Sequence, residues 1–287
     1  MAIVLSTPGA HELSTAIGAL REWQYDGAPT QLHPGDLGWF WRFGAVATAA
    51  AVRTWTRRGQ LLAVGLLDGP GLVRLAIAPA ATRDGELAQR LSTDLTAAQP
   101  GVLVEGKLAV EAPAGALVRQ VLIEGGWIID VPWTPLSRDL ADPVTGPEVR
   151  IEVVGPASAH VRAEVQRAAF IGSTFTAGRW HAMASGPAYV DARCLLAYDS
   201  GGSAVAAVTL WSAGAGMPGL LEPMGVHRDH RGHGHGTAIC LAAAAALQKL
   251  GASSAIVCTP SSNVGAVATY ESAGFRRAPD VRDLSRT

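Results

Sequence analysis

From His230 to Gly236 the chain reads His-Arg-Gly-His-Gly-His-Gly, and no other stretch restricts its folding so tightly. Leu220 to Val226 before it reads as a buried strand running into a polar turn. Thr237 to Leu250 after it has helix composition and stops at Gly251. A strand must therefore pass into a helix through a turn with three glycines in five positions. Glycine lets the backbone turn tightly and aim several N–H groups to one side. The unpaired N–H groups and positive dipole end of the following helix complete an anion site suited to a pyrophosphate. The run lacks the Lys-Ser/Thr ending of a nucleoside-triphosphate loop. It also lies late in the chain, without a βαβ unit and acidic ribose ligand after it, so it is no dinucleotide fingerprint.

Strand and helix patterns alternate around this turn. Val205 to Leu210 and Ala255 to Cys258 read as strands, and Val264 to Ser272 as a helix. That order predicts α+β (α/β) domains built on a mixed sheet. Similar blocks recur earlier. Leu72 to Ile77 matches Leu220 to Val226 as a strand running into a polar turn. Val118 to Glu124 and Ala266 to Ala273 are both helices stopped by glycine, followed by Trp127 and Phe275. Gly126 and Gly274 stand 148 residues apart, and so do Arg83 and Arg231, in a chain of 287. An internal duplication follows. The polar segment Ser137 to Pro147, with two prolines and a glycine, is the expected linker. It sets domains at 1–142 and 149–287, each of ordinary size.

Hydrophobic residues make up 48% of the chain and charged residues 16%, ample for two cores. With a formal net charge of −1 and no Lys/Arg cluster, nucleic acid is not an expected partner. Cys194, Cys240 and Cys258 are an odd count among apolar neighbours, which points to free thiols in a reducing compartment. The N-terminus carries no signal-peptide pattern, and Ala238 to Leu247, the longest apolar stretch, is too short to span a bilayer. A cytoplasmic protein without membrane attachment, monomer or homodimer, is expected.

The stretch Gly225 to Gly236 resembles the acetyl-CoA loop of the GNAT acetyltransferase superfamily, whose pattern is Arg/Gln-x-x-Gly-x-Gly/Ala. Arg231, Gly234 and Gly236 fill its three positions. Beyond it, Asn263 to Phe275 is similar to the family's second signature, in which Asn, Ala, Tyr and Gly-Phe recur at these spacings. The resemblance covers about Val149 to Arg277. It implies tandem GNAT-like domains, each a mostly antiparallel mixed sheet flanked by helices. It also implies that acetyl-CoA binds the C-terminal domain and leaves as CoA.

The resemblance further assigns residues. Main-chain N–H groups in the loop from Arg231 and Gly232 through His233, Gly234, His235, Gly236 and Thr237 are expected at the pyrophosphate. Met224, Gly225 and Val226 are expected to pair with the pantetheine arm as a strand would. Asn263 either bonds the pantetheine or caps its helix. Tyr270 sits where the family places a general acid, able to protonate a departing thiolate whose parent pKa is ~8.5. The acceptor amine needs a base. Glu222, a carboxylate in an apolar strand just before the loop, is the candidate, against an ion pair or a solvent-facing strand end. No cysteine lies in either signature, so direct transfer without an acyl-enzyme is expected.

His227, His230, His233 and His235 match no zinc spacing, and no metal is expected. Trp180, Tyr189 and Asp191 lie where the family forms its acceptor wall, and either hold the acceptor or anchor loops. At the 148-residue spacing Gly234, Gly236 and Tyr270 correspond to Glu86, Ala88 and Leu122. A glutamate repels phosphate and leucine donates no proton, so the N-terminal domain reads as degenerate. It is expected to support the active half and lend pocket wall through Trp39, Phe40 and Trp41. The leading function is N-acetylation of a small-molecule primary amine, such as an aminoglycoside or other antibiotic, hence a resistance role. A thiol-precursor amine is an alternative, because mycothiol synthases resemble this layout. Protein N-acetylation and non-catalytic CoA binding are the others.

Overall fold

The computed structural model describes residues 2–69, 71–96 and 108–286. The chain forms two compact units that do not follow the sequence boundary. Met1–Pro34, Ala45–Trp133 and Asp280–Thr287 make the first, and Gly35–Gly44 with Thr134–Pro279 make the second. The expected linker needs a correction at its start. Ser137 to Asp139 belong to the strand Ile128–Asp139, where Ser137 pairs with Arg276. Sheet pairing outweighs the polar composition of those three residues.

In the first unit, Val4–Ser6, Val52–Arg57, Gln60–Leu67 and Leu72–Ile77 pair antiparallel in succession. Arg58 and Gly59 turn the second of these into the third, both with positive φ (55° and 76°), as a two-residue hairpin demands. Leu72–Ile77 then pairs parallel with Leu108–Glu111, Leu72 opposite Ala109. Helix Gly85–Thr96 buries Leu87, Leu91 and Leu95, spaced one helical turn apart. Helix Leu117–Glu124 buries Val118 and Leu122.

In the second unit the strands run in the order Ser254–Pro260, Gly219–Val226, Ala204–Ser212, Ala192–Tyr198 and Arg150–Val153. All neighbours are antiparallel except the first pair, which is parallel with Leu220 opposite Ile256. Helices Ala159–Ala169, Ala177–Ala184, His235–Lys249 and Val264–Ser272 accompany this sheet. Ile239, Ala243 and Leu247 pack with Val208, Leu210 and Leu221 in one apolar cluster that also takes in Tyr270 and Phe275. No helix among the described residues is long and apolar enough to cross a membrane.

The internal repeat is visible in the elements. Moved by 148 residues, Leu72–Ile77 falls on 220–225, Gly85–Thr96 on 233–244 and Leu117–Glu124 on 265–272. Among the described residues each unit holds a parallel strand pair, Leu72–Ile77 with Leu108–Glu111 and Gly219–Val226 with Ser254–Pro260. Gly126 and Gly274 have φ of 89° and 82°, the left-handed conformation that ends a helix and favours glycine. Two copies of one mixed, mostly antiparallel architecture make up the chain.

Candidate active site

Helix His235–Lys249 starts from Gly234, whose φ of 78° is left-handed, and no side chain caps it. Gly232 is left-handed too, with φ of 81°. A Cβ at either glycine would meet nothing within 4 Å, so conformation rather than crowding requires glycine there. The first-turn N–H groups at His235, Gly236 and Thr237 have no intrahelical acceptor. Arg231 to Gly234 are exposed. These donors suit a pyrophosphate. Gly236 is different: it is buried, and a Cβ on it would lie 2.7 Å from Cγ2 of Thr269. That glycine serves the contact between the two signature helices.

The loop is tied to the end of helix Ala159–Ala169. Arg231 donates from Nη2 to the Ala169 carbonyl at 2.8 Å and from Nε to that of Val226 at 3.5 Å. Arg228 donates to the carbonyls of Ala168 and Arg167 at 2.9 and 3.1 Å. Two guanidiniums thus satisfy carbonyls that a helix end leaves unpaired. The family pattern marks Arg231; the sequence carries no sign of Arg228. His227 accepts from the Asp229 N–H at 3.3 Å, and His230 Nδ1 lies 3.7 Å from Asp199. Among the described residues no group of three or more His, Cys, Asp or Glu is arranged to hold a metal.

Strand Gly219–Val226 opens the second element of the site. Among the described residues it pairs with Ser254–Pro260 only through Gly219 and Leu220. Against Ala204–Ser212 its register shifts between Leu221 and Met224, a β-bulge. His227 donates its N–H to the Val205 carbonyl at 2.8 Å, and Gly225 stands opposite Ala207. Strand alternation therefore turns the backbone edges of Met224 and Val226 the other way, towards the open side. Gly225 lies under the helix end, for a Cβ there would approach Ala169 Cβ and Phe170 Cε2 at 2.7 Å.

Tyr270 feels the charge of Glu222. Tyr270 is 5% exposed, its ring 5.7 Å from that of Phe275. Burial first, then the charges of Cys240, Glu222 and Cys258, raise its hydroxyl well above the usual tyrosine value. It stays protonated at neutral pH, as a proton donor must. The Glu222 backbone carbonyl accepts from Trp211 Nε1 at 2.7 Å. Asn263 caps its helix, accepting from the Ala266 N–H at 3.3 Å. Burial pushes the Cys240 thiol up to about 12, which leaves it without thiolate at neutral pH.

The matching turn of the first unit is chemically closed. Asp84 accepts from the Leu87 N–H at 2.9 Å at the start of helix Gly85–Thr96. Arg57 lies 2.7 Å from Asp84 and 3.0 Å from Glu86. The Asp84 carboxylate thus caps this helix start, where no side chain caps helix His235–Lys249.

The acceptor candidates separate into two groups. Trp180 is buried, its ring edge-on to Tyr189 at 6.0 Å, and Tyr189 is edge-on to Trp211 at 6.0 Å. Asp191 ends the short turn Pro187–Asp191 and is half-buried. Trp41 is buried against Gly186. Trp39 instead stacks on Phe175 at 5.2 Å and lines a pocket of ≈ 200 Å³ together with Arg42, Phe43, 172–174 and Arg179. Gly35 and Gly38 press on the Trp211 ring, and this close approach is the reason for glycine at both. Trp211 thus joins the pocket segment to the strand of Glu222. Neither it nor the two arginines is marked by any local sequence signal.

Residues 164–275 match the Acetyltransferase (GNAT) family. No curated protein matches the chain. A GCN5-related N-acetyltransferase from Sphaerobacter thermophilus is similar over 99% of this chain and 95% of its own, at TM-score 0.60 and 17% identity. A GNAT-family acetyltransferase from Colwellia psychrerythraea shares 17% identity at TM-score 0.60, over 99% of this chain and 98% of that one. A tandem GNAT protein from the clavulanic acid biosynthesis pathway covers 99% and 98%, at TM-score 0.58 and 15% identity. At these identities the likeness to solved structures is one of fold.

Proposed function

We propose that this chain, which carries a GNAT acetyltransferase family domain at residues 164–275, moves an acetyl group from acetyl-CoA directly to a primary amine of a small molecule. The observation that carries this reading is the uncapped start of helix His235–Lys249 beside the open strand edge at Met224 and Val226. Those donors fit the pyrophosphate and the amide-bearing arm of CoA. When bound, acetyl-CoA supplies the activated thioester.

The chain's residues divide the remaining work. Main-chain groups of Met224 to Val226 hold the arm in line with the bulge. The N–H groups of Met224 and Val226, on the open edge, are the donors for negative charge developing on the carbonyl oxygen. Glu222 takes the proton that an alkylamine must lose before it attacks, directly or through a water. Tyr270 holds a proton for the departing sulfur. Cys240 does not compete as a nucleophile, because burial keeps its thiol protonated. Direct transfer, with no acyl-enzyme, is the route this set of groups favours.

The test is turnover with acetyl-CoA over a panel of amino acids, amino sugars, aminoglycosides, thiol-precursor amines and peptides. CoA release that depends on a small amine supports the reading. Turnover with peptides alone points to protein acetylation. CoA binding without turnover on any amine makes the chain a CoA-binding protein and overturns the proposal.

A further inference from the structure

Strand Gly219–Val226 is irregular where its carboxylate stands. Leu221 pairs with Leu210 and Met224 with Val208, so Glu222 and Pro223 together face the single residue Thr209 of the neighbouring strand. Two residues against one interrupt the ladder and re-aim the side chains at the bulge. Pro223 has no N–H with which to mend it. A side chain supplies the missing bond: Trp211 donates from Nε1 to the Glu222 carbonyl at 2.7 Å. The Trp211 main chain stands opposite Leu220 in the same pair of strands. One residue therefore holds the strand both at Leu220, through its backbone, and at Glu222, through its indole.

The indole is itself fixed. Trp211 is 1% exposed. A Cβ at Gly35 or at Gly38 would collide with its ring, so both backbones lie directly on it. The Tyr189 ring stands edge-on at 6.0 Å, and the Trp211 backbone also pairs with Ala192. An N–H buried in this way has no water to turn to, so a shift of the Glu222 carbonyl would leave it unpaired. The bulge thus has one favoured geometry, set by contacts that lie behind the strand rather than in the acetyl-CoA loop.

We propose that Trp211 is a positioning residue for acetyl transfer, its indole N–H fixing the backbone at Glu222 so that the carboxylate stands where the amine must lose its proton. This rests on the acetyl-transfer reading and adds a residue to it. Trp211 touches neither substrate nor cofactor and acts through Glu222 alone. A ring of the same shape without the N–H would keep the packing and release the carbonyl. Misplacing a reacting group by about 1 Å can cost on the order of 10²-fold in rate.

The test removes the indole N–H and little else. Benzothienylalanine at position 211 puts sulfur in place of the N–H in a ring of nearly the same shape, whereas Trp211→Phe would also empty space beside Gly35 and Gly38. A ring-fluorinated tryptophan at the same position keeps the N–H. On the full chain, with an amine that it acetylates, we expect the sulfur analogue to lower kcat by about 10- to 100-fold. KM for acetyl-CoA should stay within about twofold, and the fluorinated residue should restore kcat. In Glu222→Gln the sulfur analogue should cost little further, because the two positions act as one unit. An unchanged kcat, a loss confined to KM, the full loss retained in Glu222→Gln, or a loss explained by unfolding at the assay temperature would each overturn the positioning role and leave the reaction standing. Failure of the unaltered chain to acetylate any amine would instead reject the reaction, and this role with it.

Discussion

Thr269 stands in the space that a side chain on Gly236 would need, its Cγ2 2.7 Å from the position of such a Cβ. The two signature helices therefore approach through this glycine. Gly236→Ala should lower stability by roughly 1–3 kcal/mol, the usual cost of overpacking. Thr269→Ser removes the offending methyl and should recover most of the loss in the double variant. Additive melting shifts in the double variant would show that the two residues do not meet.

Burial is the largest cause that raises the Tyr270 hydroxyl and keeps it protonated, and the Glu222 charge adds to it. Tyr270→Phe should lower kcat by ~10²–10⁴-fold with acetyl-CoA affinity nearly unchanged, as general-acid groups do. Glu222→Gln should remove the acidic limb of the pH–rate profile. Near-normal turnover in Tyr270→Phe, with the fold intact by melting, would make Tyr270 a packing residue. An unchanged profile in Glu222→Gln would retire Glu222 as the base.

The Arg231 guanidinium is occupied by the Ala169 and Val226 carbonyls. Arg231→Ala should therefore raise KM for acetyl-CoA by loosening the loop, and faster amide exchange from 228 to 236 should accompany the change. A raised KM with unchanged exchange would mean that Arg231 meets the ligand itself.

In the first unit, burial raises the Asp283 carboxyl from 3.8 to about 6, with Glu111 adding repulsion that Arg74 and Arg119 partly offset. Between those values the folded chain keeps a proton that the unfolded chain has released. This contribution to stability is fully present below the lower value and is lost as pH rises through about 6. Asp283→Asn should melt higher than wild type at pH 7, and the gap should close towards pH 4. A gap independent of pH would place the effect in packing rather than charge.

The sequence announced what is punctuated locally. Glycine at 234, 251 and 274 brackets the signature helices, so His235–Lys249 and Val264–Ser272 fall within two residues of expectation at each end. The 148-residue repeat was legible because both copies keep a glycine stop in the left-handed conformation. Long-range placement was not. Gly35–Gly44 belongs to the second unit through contacts with Trp211 and Gly186, more than a hundred residues away, and no periodicity encodes such partners. The same holds for Arg42 and Arg179, each ordinary in its own segment. Asn263 left two roles open in sequence, and the structure shows it bonded as a cap.

Titration calorimetry of acetyl-CoA into the full chain addresses the loop of the second unit most directly. The first unit caps its equivalent helix start with Asp84, and Arg57 holds both Asp84 and Glu86 there, while the second leaves Gly234 uncapped. We expect one site per chain, and we expect Gly234→Glu to abolish it, because a side chain strains a left-handed φ and a carboxylate repels the pyrophosphate. Two sites per chain, or acetyl-CoA affinity retained in Gly234→Glu, would contradict both the assignment of the loop and the closure of its counterpart.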